Sequence, residues 1–241
     1  MGSRADRIEG VLLATATGDA LGAPYEFQPP RGPDLKVAMT GGGGWEAGEW
    51  TDDTAMAVAI AEVAATGADL RDEAAQDAIV ARWHHWSLGA KDVGIQTRSV
   101  LSSAAAGGVI TAGRARSAAA DLHAATRRTA GNGSLMRTAP VALAYLDDEA
   151  AMVAAVRAIS ELTHFDPDAG DACVLWCSAI RHAVLTGELD IRIGLGHLDS
   201  DRQQLWSERL DAAEGSPPAA FPNNGWVVAA LQAAWSAIAT T

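Results

Sequence analysis

The chain has 241 residues, of which 49% are hydrophobic, and its formal net charge at pH 7 is −12. A surface this acidic repels the phosphates of nucleic acids and of anionic lipids, so we exclude nucleic acid as a bulk partner and expect no membrane partner. Alanine supplies much of the hydrophobic fraction and favours helices, whereas Phe and Tyr are scarce, which disfavours a large sheet.

Apolar residues recur at helical spacing in ten segments, which are separated by Gly, Pro and Asn signals. The predicted helices cover residues 4–20, 52–65, 71–87, 97–106, 116–126, 134–146, 148–162, 167–186, 201–213 and 226–239. We therefore expect an all-α fold, a compact orthogonal bundle of about nine or ten helices, in a single domain over residues 1–241.

A long irregular segment is predicted at residues 22–50, because it contains four prolines and a run of glycines at 41–44. Loops of this length in compact domains are usually functional or disordered. Its aromatic residues indicate that this one is ordered; they are Tyr25, Phe27, Trp45 and Trp50.

The last predicted helix is apolar and carries no stop signal. Val227, Leu231 and Trp235 are among its apolar residues. We expect it to leave an exposed apolar face, which a missing segment or a partner chain would cover.

The cysteine count and the N-terminus indicate the compartment. Cys173 and Cys177 are one helical turn apart among apolar residues, which favours two buried thiols over a zinc site or a disulfide. Charged residues interrupt the first ten positions, so we expect no signal peptide and a cytoplasmic location. Nothing in the sequence specifies an oligomeric state.

Residues 51–54, Thr-Asp-Asp-Thr, lie where the glycine-rich loop enters the second helix. Adjacent side chains within a helix diverge by about 100°, but Thr51, Asp52 and Asp53 can converge at a junction that is not yet helical. A hydroxyl and two carboxylates provide the oxygen ligands that Mg²⁺ prefers. The alternative is an ordinary N-cap, because Thr and Asp are favoured there.

A second glycine-containing loop leads into the predicted helix at 134–146. Its residues are Gly131, Asn132, Gly133 and Ser134. Glycines let a backbone approach a ligand, and free N–H groups at a helix start attract anions. The loop is therefore either a phosphate cradle or a simple helix-entry turn.

Three further polar residues lie in loops next to helices. Glu26 is flanked by aromatic residues, where a carboxylate can act on a metal or a water, although it can equally be a surface glutamate. Asp92 precedes a helix and is its candidate cap. His164 either hydrogen-bonds a ligand or caps the preceding helix at its C-terminal end.

In chain order, these segments resemble the ADP-ribosylglycohydrolase family, which includes the dinitrogenase reductase-activating glycohydrolases. The resemblance extends over residues 4–239. The motifs that carry it are Gly-Asp-Ala-Leu-Gly at 18–22, Tyr-Glu at 25–26, Trp-Thr-Asp-Asp-Thr at 50–54, Asp-Val-Gly at 92–94, Gly-Asn-Gly-Ser-Leu-Met-Arg at 131–137 and Thr-His at 163–164. The T-D-D and G-N-G-x-x-M-R motifs are the most specific of these.

The resemblance implies an all-α hydrolase with a binuclear Mg²⁺ or Mn²⁺ centre. The implied reaction cleaves the glycosidic bond between ADP-ribose and an acceptor, in an ADP-ribosylated protein or a small ADP-ribose conjugate. The implied metal ligands are Thr51, Asp52 and Asp53.

The resemblance also implies roles for the remaining candidates. Glu26 matches a glutamate to which catalysis is assigned in some members, and Asp92 matches an aspartate implicated as general base in others. The loop from Gly131 to Ser134 would cradle the diphosphate, and His164 would contact the nucleotide.

One element of the family pattern has no counterpart in the 241 residues. The family's second metal half-site is an Asp-x-Asp-Thr motif after a C-terminal glycine-rich turn, and no equivalent occurs in this sequence. We therefore expect a truncated or degenerate family member that carries one half of the metal site. The alternative function is a catalytically impaired ADP-ribose- or nucleotide-binding protein.

Overall fold

The computed structural model describes residues 2–28 and 36–240. Within them the chain forms ten α-helices and four short 3-10 helices, with isolated bridges but no β-strand, which confirms the all-α prediction. The α-helices are α1 Arg4–Gly22, α2 Asp52–Ala64, α3 Glu73–Ser87, α4 Ile95–Ala105, α5 Ala112–Thr126, α6 Ala139–Ala144, α7 Glu149–Glu161, α8 Pro167–Thr186, α9 Ser200–Glu214 and α10 Val227–Ala239. Three prolines of the predicted irregular segment, Pro29, Pro30 and Pro33, lie outside the described residues.

Two predicted helices differ from the observed ones. Helix α5 begins four residues earlier than predicted, because the Thr111 hydroxyl caps it by accepting from the backbone N–H of Arg114. The single helix predicted at 134–146 is instead a 3-10 helix, Asn132–Arg137, followed by the short helix α6. Pro140 lies in the first turn of α6, where proline is tolerated, whereas it would interrupt the interior of a longer helix.

Helix α8 lies at the centre of the molecule and packs against α1, α6, α7 and α10. It belongs to one continuous cluster of buried apolar side chains that includes residues from α2, α3, α7, α9 and α10. Cys173 and Cys177 are buried free thiols on α8, as predicted. No helix among the described residues is both long enough and apolar enough to cross a membrane.

The prediction of an exposed apolar face on the last helix is wrong. Val227, Leu231 and Trp235 of α10 are buried, because this helix packs against α8 and α9. The Trp235 indole donates to Glu214 at 3.0 Å, and the Ser236 hydroxyl donates to the Ser216 carbonyl at 2.5 Å. The apolar face of α10 is therefore part of the core.

The end of α1 and the start of α2 meet at one place on the surface. A 3-10 helix, Ala23–Tyr25, extends α1, and the Tyr25 hydroxyl donates to the Ala38 carbonyl at 2.7 Å. Gly42 and Trp45 then form an isolated antiparallel bridge just before α2. Helix α2 packs on α1, on α3 and on the 3-10 helix Asn132–Arg137, which brings the predicted site segments close together.

Candidate functional site

The junction between α1 and α2 is organised by Asp19, near the C-terminal end of α1. Its carboxylate accepts hydrogen bonds from the backbone N–H and the hydroxyl of Thr51, at 2.9 and 2.8 Å. It also accepts from the backbone N–H and the hydroxyl of Thr54, at 3.0 and 2.6 Å. Four donors at the start of α2 therefore converge on one carboxylate of α1.

Thr51 occupies the N-cap position of α2, but its side chain makes no capping hydrogen bond. Asp19 satisfies the first-turn N–H of Thr54 instead, so the capping interpretation of the Thr51 side chain is wrong. Because the Thr51 hydroxyl donates its hydrogen to Asp19, its lone pairs remain available to another ligand. Asp52 Oδ1 lies 3.4 Å from Thr51 Oγ1, on the same side of the junction.

Several carboxylates lie close together around this junction, and their negative charges repel one another. Burial raises the pKa of Asp53 to about 8, and the charges of Asp52, Asp19 and Glu26 add to the rise. Burial and the nearby Asp92 also raise the pKa of Asp52, although the backbone N–H of Gly94 opposes the rise. The negative charge of the junction is therefore incompletely compensated by the protein.

No Lys or Arg among residues 2–28 and 36–240 forms an ion pair with the carboxylates of this acidic junction, although the charge of the buried Arg137 interacts with that of Asp52. None of the ion pairs there includes Asp19, Glu26, Asp52, Asp53 or Asp92. In the same described residues, no group of three or more His, Cys, Asp or Glu side chains is already arranged to hold a metal ion. The donor chemistry fits a hard divalent cation, but the described side chains are not arranged as a group of metal ligands.

Glu26 lies at the end of the 3-10 helix that extends α1. Burial raises the pKa of Glu26, followed by the charges of Asp92, Asp52 and Asp19. The ring of Phe27 is 91% exposed and therefore does not enclose the carboxylate. Phe27 has a φ of 59°, a left-handed conformation that is costly for a bulky residue and often marks a functional loop.

Asp92 lies where two surface cavities meet. A cavity of about 320 Å³ is lined by Asp52 and Asp92 together with tryptophans, and a cavity of about 560 Å³ is lined by Glu26, Phe27 and Asp92. The N-cap of α4 is Gly94, and it has no side-chain cap, so the capping interpretation of Asp92 is wrong. The structure thus brings Glu26 and Asp92 to the rim of the Thr51–Asp53 junction.

The glycine loop is held by the segment that leads into α10. Gly131 forms an isolated antiparallel bridge with Trp226, and the Asn132 backbone N–H donates to the Gly225 carbonyl at 3.2 Å. The side-chain amide of Asn132 donates to the Asn224 carbonyl at 2.9 Å. The Ser134 side chain is buried. Contact between this loop and a phosphate would therefore come mainly from the backbone.

His164 is buried directly against the glycine loop. A Cβ atom placed on Gly133 would lie 2.9 Å from His164 Cε1, and one on Gly131 would lie 3.2 Å from Nε2. The ring is bonded through Nδ1 to the Thr163 hydroxyl at 2.7 Å, so the ring does not cap the preceding helix. Contact between His164 and a nucleotide stays a prediction, while its packing on both glycines is a structural fact.

The protonation of His164 is set by its buried neighbours. Burial lowers the pKa of His164 well below its usual value, and the Arg137 guanidinium lowers it further, so the ring is neutral. Arg137 donates to Thr163 Oγ1 at 2.7 Å, which leaves the Thr163 hydroxyl hydrogen for His164 Nδ1. His164 therefore carries its hydrogen on Nε2, the ring atom that faces the glycine loop.

Comparisons with known proteins identify the family of this chain. A sequence model described as ADP-ribosylglycohydrolase matches residues 1–241. The chain belongs to the ADP-ribosylglycohydrolase family. It is 31% identical to an ADP-ribosylarginine hydrolase, Tri1, of Pseudomonas putida (strain GB-1) over 76% of this chain and 47% of the relative. It is 32% identical to the ADP-ribosyl-dinitrogen reductase glycohydrolase of Rhodospirillum rubrum, over 74% of this chain and 58% of that protein.

A solved structure supports the same assignment. The chain superimposes on a protein of an ADP-ribosylglycohydrolase-related complex with a TM-score of 0.71 at 27% identity, covering 99% of this chain and 77% of that one. The chain spans about half the length of the curated relatives that it matches.

Sequence reasoning assigned no role to two residues of this candidate site. Asp19 belongs to the Gly-Asp-Ala-Leu-Gly motif, but its role as acceptor for Thr51 and Thr54 depends on packing between α1 and α2. Arg137 is fully buried, its guanidinium lies 4.0 Å from the centre of the Trp83 ring, and its Nε has no hydrogen-bond partner among the described residues. In the sequence, the position of Arg137 at the end of the motif at 131–137 is the one feature that could have indicated its role.

The contact between Gly133 and His164 gives a stability prediction. We expect Gly133→Ala to lower the free energy of unfolding by about 1–3 kcal/mol, because the added methyl would overlap the His164 ring, which is buried and hydrogen-bonded to Thr163. Such a loss corresponds to roughly 2–4 °C in Tm per kcal/mol for a domain of this size. Thermal unfolding followed by circular dichroism measures the change.

A matched control comes from α1. Gly10 has nothing within 4 Å of an added Cβ and lies in a helix interior, so Gly10→Ala should leave Tm unchanged or raise it. Equal Tm values for the two variants would show that the His164 ring does not restrict residue 133.

Proposed function

We propose that this protein hydrolyses the bond between ADP-ribose and an arginine side chain, with the help of a divalent cation. Family membership and the names of the P. putida and R. rubrum relatives support the reaction class. The observation that carries the proposal is the acidic junction. There Thr51, Asp52 and Asp53 present oxygens next to Glu26 and Asp92, and no cation of the described chain pairs with them.

Thr51, Asp52 and Asp53 would hold the cation. Their oxygens are the hard ligands that Mg²⁺ and Mn²⁺ prefer, and Asp19 fixes the hydroxyl of Thr51 with its lone pairs available. Bound there, a divalent cation supplies charge neutralisation and Lewis-acid activation of a water. Waters or substrate oxygens would have to complete the shell, because the described carboxylates do not form one by themselves.

Glu26 is our candidate for the general base. Its raised pKa brings proton acceptance closer to neutral pH, where general-base catalysis is most effective. In the proposed step, a water oxygen forms a bond to the anomeric carbon and its proton passes to the Glu26 carboxylate. The bond to the guanidine nitrogen breaks, and its electron pair leaves with that nitrogen. Asp92, on the rim of both cavities, would orient the water and stabilise the positive charge that develops on the sugar.

The diphosphate would lie along the glycine loop. Gly131 and Gly133 bring the backbone against the buried His164 ring, and the first turn of α4 continues the surface from the loop to Asp52. Thr97 Oγ1 lies 3.4 Å from the Cβ position of Gly133, and the Gly94 N–H donates to Asp52 Oδ2 at 3.2 Å. A ligand lying on this surface would have its phosphates at the glycine loop and its anomeric carbon near Asp52.

An assay with an ADP-ribosyl-arginine peptide tests the proposal. We expect ADP-ribose release by the 241-residue chain in the presence of Mn²⁺ or Mg²⁺, loss of release in EDTA, and recovery when the cation is restored. Glu26→Gln should lower kcat by about 10²–10⁴-fold, the usual contribution of a general base. Release that is unaffected by EDTA, or an unaltered kcat in Glu26→Gln, would contradict the corresponding part of the proposal.

The second candidate function is a binding module for ADP-ribose. The observation that favours it is the absence, within the described residues, of a ready-made group of metal ligands. Calorimetry with ADP-ribose, with and without Mg²⁺, separates the two functions. Tight binding that does not depend on the cation and is not followed by turnover would favour the binding module over the hydrolase.

A further inference from the structure

The side chain of Gln96, in the first turn of α4, has no part in the function proposed above. Its amide nitrogen donates to the Thr129 carbonyl at 3.0 Å and to the Thr163 carbonyl at 2.9 Å. Thr129 lies just before the glycine loop, and Thr163 directly precedes His164. One carboxamide therefore joins α4 to the two segments that carry the glycine loop and His164.

The direction of the Gln96 carboxamide is fixed by these two contacts. Two carbonyl acceptors use both hydrogens of the amide, and a carbonyl oxygen can only accept. A carboxamide turned the other way would put its own oxygen against both carbonyl oxygens. In the observed direction Oε1 faces Gly131, 3.3 Å from the position of an added Cβ atom. The contacts therefore need the amide hydrogens, which neither a thioether nor a carboxylate provides.

The neighbours of Gln96 in the chain contact other parts of the site. The Gly94 N–H donates to Asp52 Oδ2 at 3.2 Å, and Thr97 is buried with its Oγ1 3.4 Å from the Cβ position of Gly133. In the part of the chain that the structure describes, no other residue of α4 forms a hydrogen bond with either segment. The first turn of α4 therefore connects the acidic junction to both segments, and Gln96 supplies the hydrogen bonds.

We propose that Gln96 is a positioning residue, whose carboxamide holds the glycine loop and His164 at a fixed distance from Asp52. This proposal rests on the proposed hydrolase function. A ligand with its phosphates at the glycine loop and its anomeric carbon near Asp52 spans the two regions that Gln96 joins. A displaced loop can still bind the phosphates, but it misplaces the anomeric carbon, and an error of about 1 Å can cost about 10²-fold in rate. Loss of the Gln96 contacts should therefore lower kcat more than it raises KM.

Kinetics of Gln96→Met test this role, because methionine keeps the length of the side chain and removes the amide hydrogens. With an ADP-ribosyl-arginine peptide and Mn²⁺, we expect kcat to fall by about 10- to 100-fold and KM to change less than about threefold. The matched control is Gln203→Met. Gln203 lies in the first turn of α9, and its amide donates to the Leu198 carbonyl at 2.7 Å, outside the proposed site. This variant should change kcat and KM by less than about twofold.

A second variant separates hydrogen bonding from packing. Gln96→Glu keeps the shape of the side chain, but its ionised carboxylate offers only acceptors to the two carbonyl groups. It should therefore lower kcat at least as much as Gln96→Met. An unaltered kcat in both variants would overturn the proposal. A fall in kcat/KM that comes entirely from KM would also overturn it, because Gln96 would then contribute to ligand affinity alone.

Hydrogen exchange in the cation-free 241-residue protein tests the same contacts without turnover. We expect Gln96→Met to speed exchange at least about fivefold in the proteolytic fragments that contain residues 129–134 and in those that contain residues 160–164. Gln203→Met should leave the exchange of both regions unchanged. Exchange at the wild-type rate in either region of Gln96→Met would overturn the proposal.

The two proposals fail in different ways. If the wild-type protein releases no ADP-ribose from the peptide, the proposed hydrolase function fails, and hydrogen exchange still decides whether Gln96 holds both segments. If the wild-type protein hydrolyses the peptide and Gln96→Met has the same kcat, the hydrolase function stands and Gln96 is not a positioning residue.

Discussion

Asp53→Asn is expected to abolish cation-dependent hydrolysis and, at the same time, to stabilise the cation-free protein. Asp53 is a proposed cation ligand, so its loss removes the charge that holds the cation. In the free protein the same charge is unfavourable, because burial and the carboxylates of Asp52, Asp19 and Glu26 raise its pKa to about 8. Removing it should increase the free energy of unfolding by roughly 1–3 kcal/mol at pH 8.

The pH dependence gives the sign of this effect. The ordinary pKa of an aspartate is 3.8, and burial in the folded protein raises the pKa of Asp53 to about 8. Between these values the folded state binds more protons than the unfolded state. The contribution of Asp53 to the free energy of unfolding is therefore complete below pH 4 and is lost as the pH rises towards 8. Urea unfolding in EDTA should therefore show a larger gain for Asp53→Asn at pH 8 than at pH 5.

The reverse result would contradict the electrostatic description. A variant that is less stable than the wild type at pH 8, in EDTA, would mean that Asp53 makes a stabilising contact as a carboxylate. Stability that is raised while hydrolysis is retained would instead remove Asp53 from the proposed cation ligands. Both outcomes are read from the same two preparations.

Asp19→Ala should be the most destabilising single change at the junction. It would leave two backbone N–H groups and two hydroxyls at the start of α2 without their acceptor. Hydrogen bonds to charged acceptors contribute about 1.5–3 kcal/mol each but are not additive, so we expect a loss of about 2–4 kcal/mol. Hydrolysis should fall as well, since Thr51 would no longer be held in position.

The control for this variant is a surface aspartate. Within the described part of the chain, Asp147 forms an ion pair only with Arg4, and its side chain is 88% exposed. Asp147→Ala should therefore change stability by less than about 0.5 kcal/mol. If Asp19→Ala unfolds at the same urea concentration as Asp147→Ala, the junction is held by apolar packing between α1 and α2 and not by the Asp19 carboxylate.

Local patterns in the sequence predicted most of the helices. The start of α2 after Thr51 and the glycines between helices act over a few residues, and the prediction used them directly. The Thr111 cap is equally local, but the prediction did not use it and began α5 four residues too late. The prediction of one helix at 134–146 is wrong because Pro140 and a 3-10 segment divide it. Propensity alone does not distinguish a 3-10 turn from the first turn of an α-helix.

The site was predicted less completely, because its important contacts join distant residues. Asp19 reaches residues 32 and 35 positions away, and Arg137 reaches Thr163, which is 26 positions away. Periodicity contains no information about such pairs. The same limit explains the last helix, since whether the face with Leu231 and Trp235 is covered depends on how α8 and α9 pack.

The bridge between the glycine loop and the start of α10 also couples two parts of the molecule energetically. The Val227 N–H donates to the Ala130 carbonyl at 2.9 Å, directly beside the bridge between Gly131 and Trp226. Local opening of the first turn of α10 must therefore release the loop as well. By thermodynamic reciprocity, a ligand that orders the loop suppresses this opening by the same free energy that an intact α10 adds to the ligand's affinity.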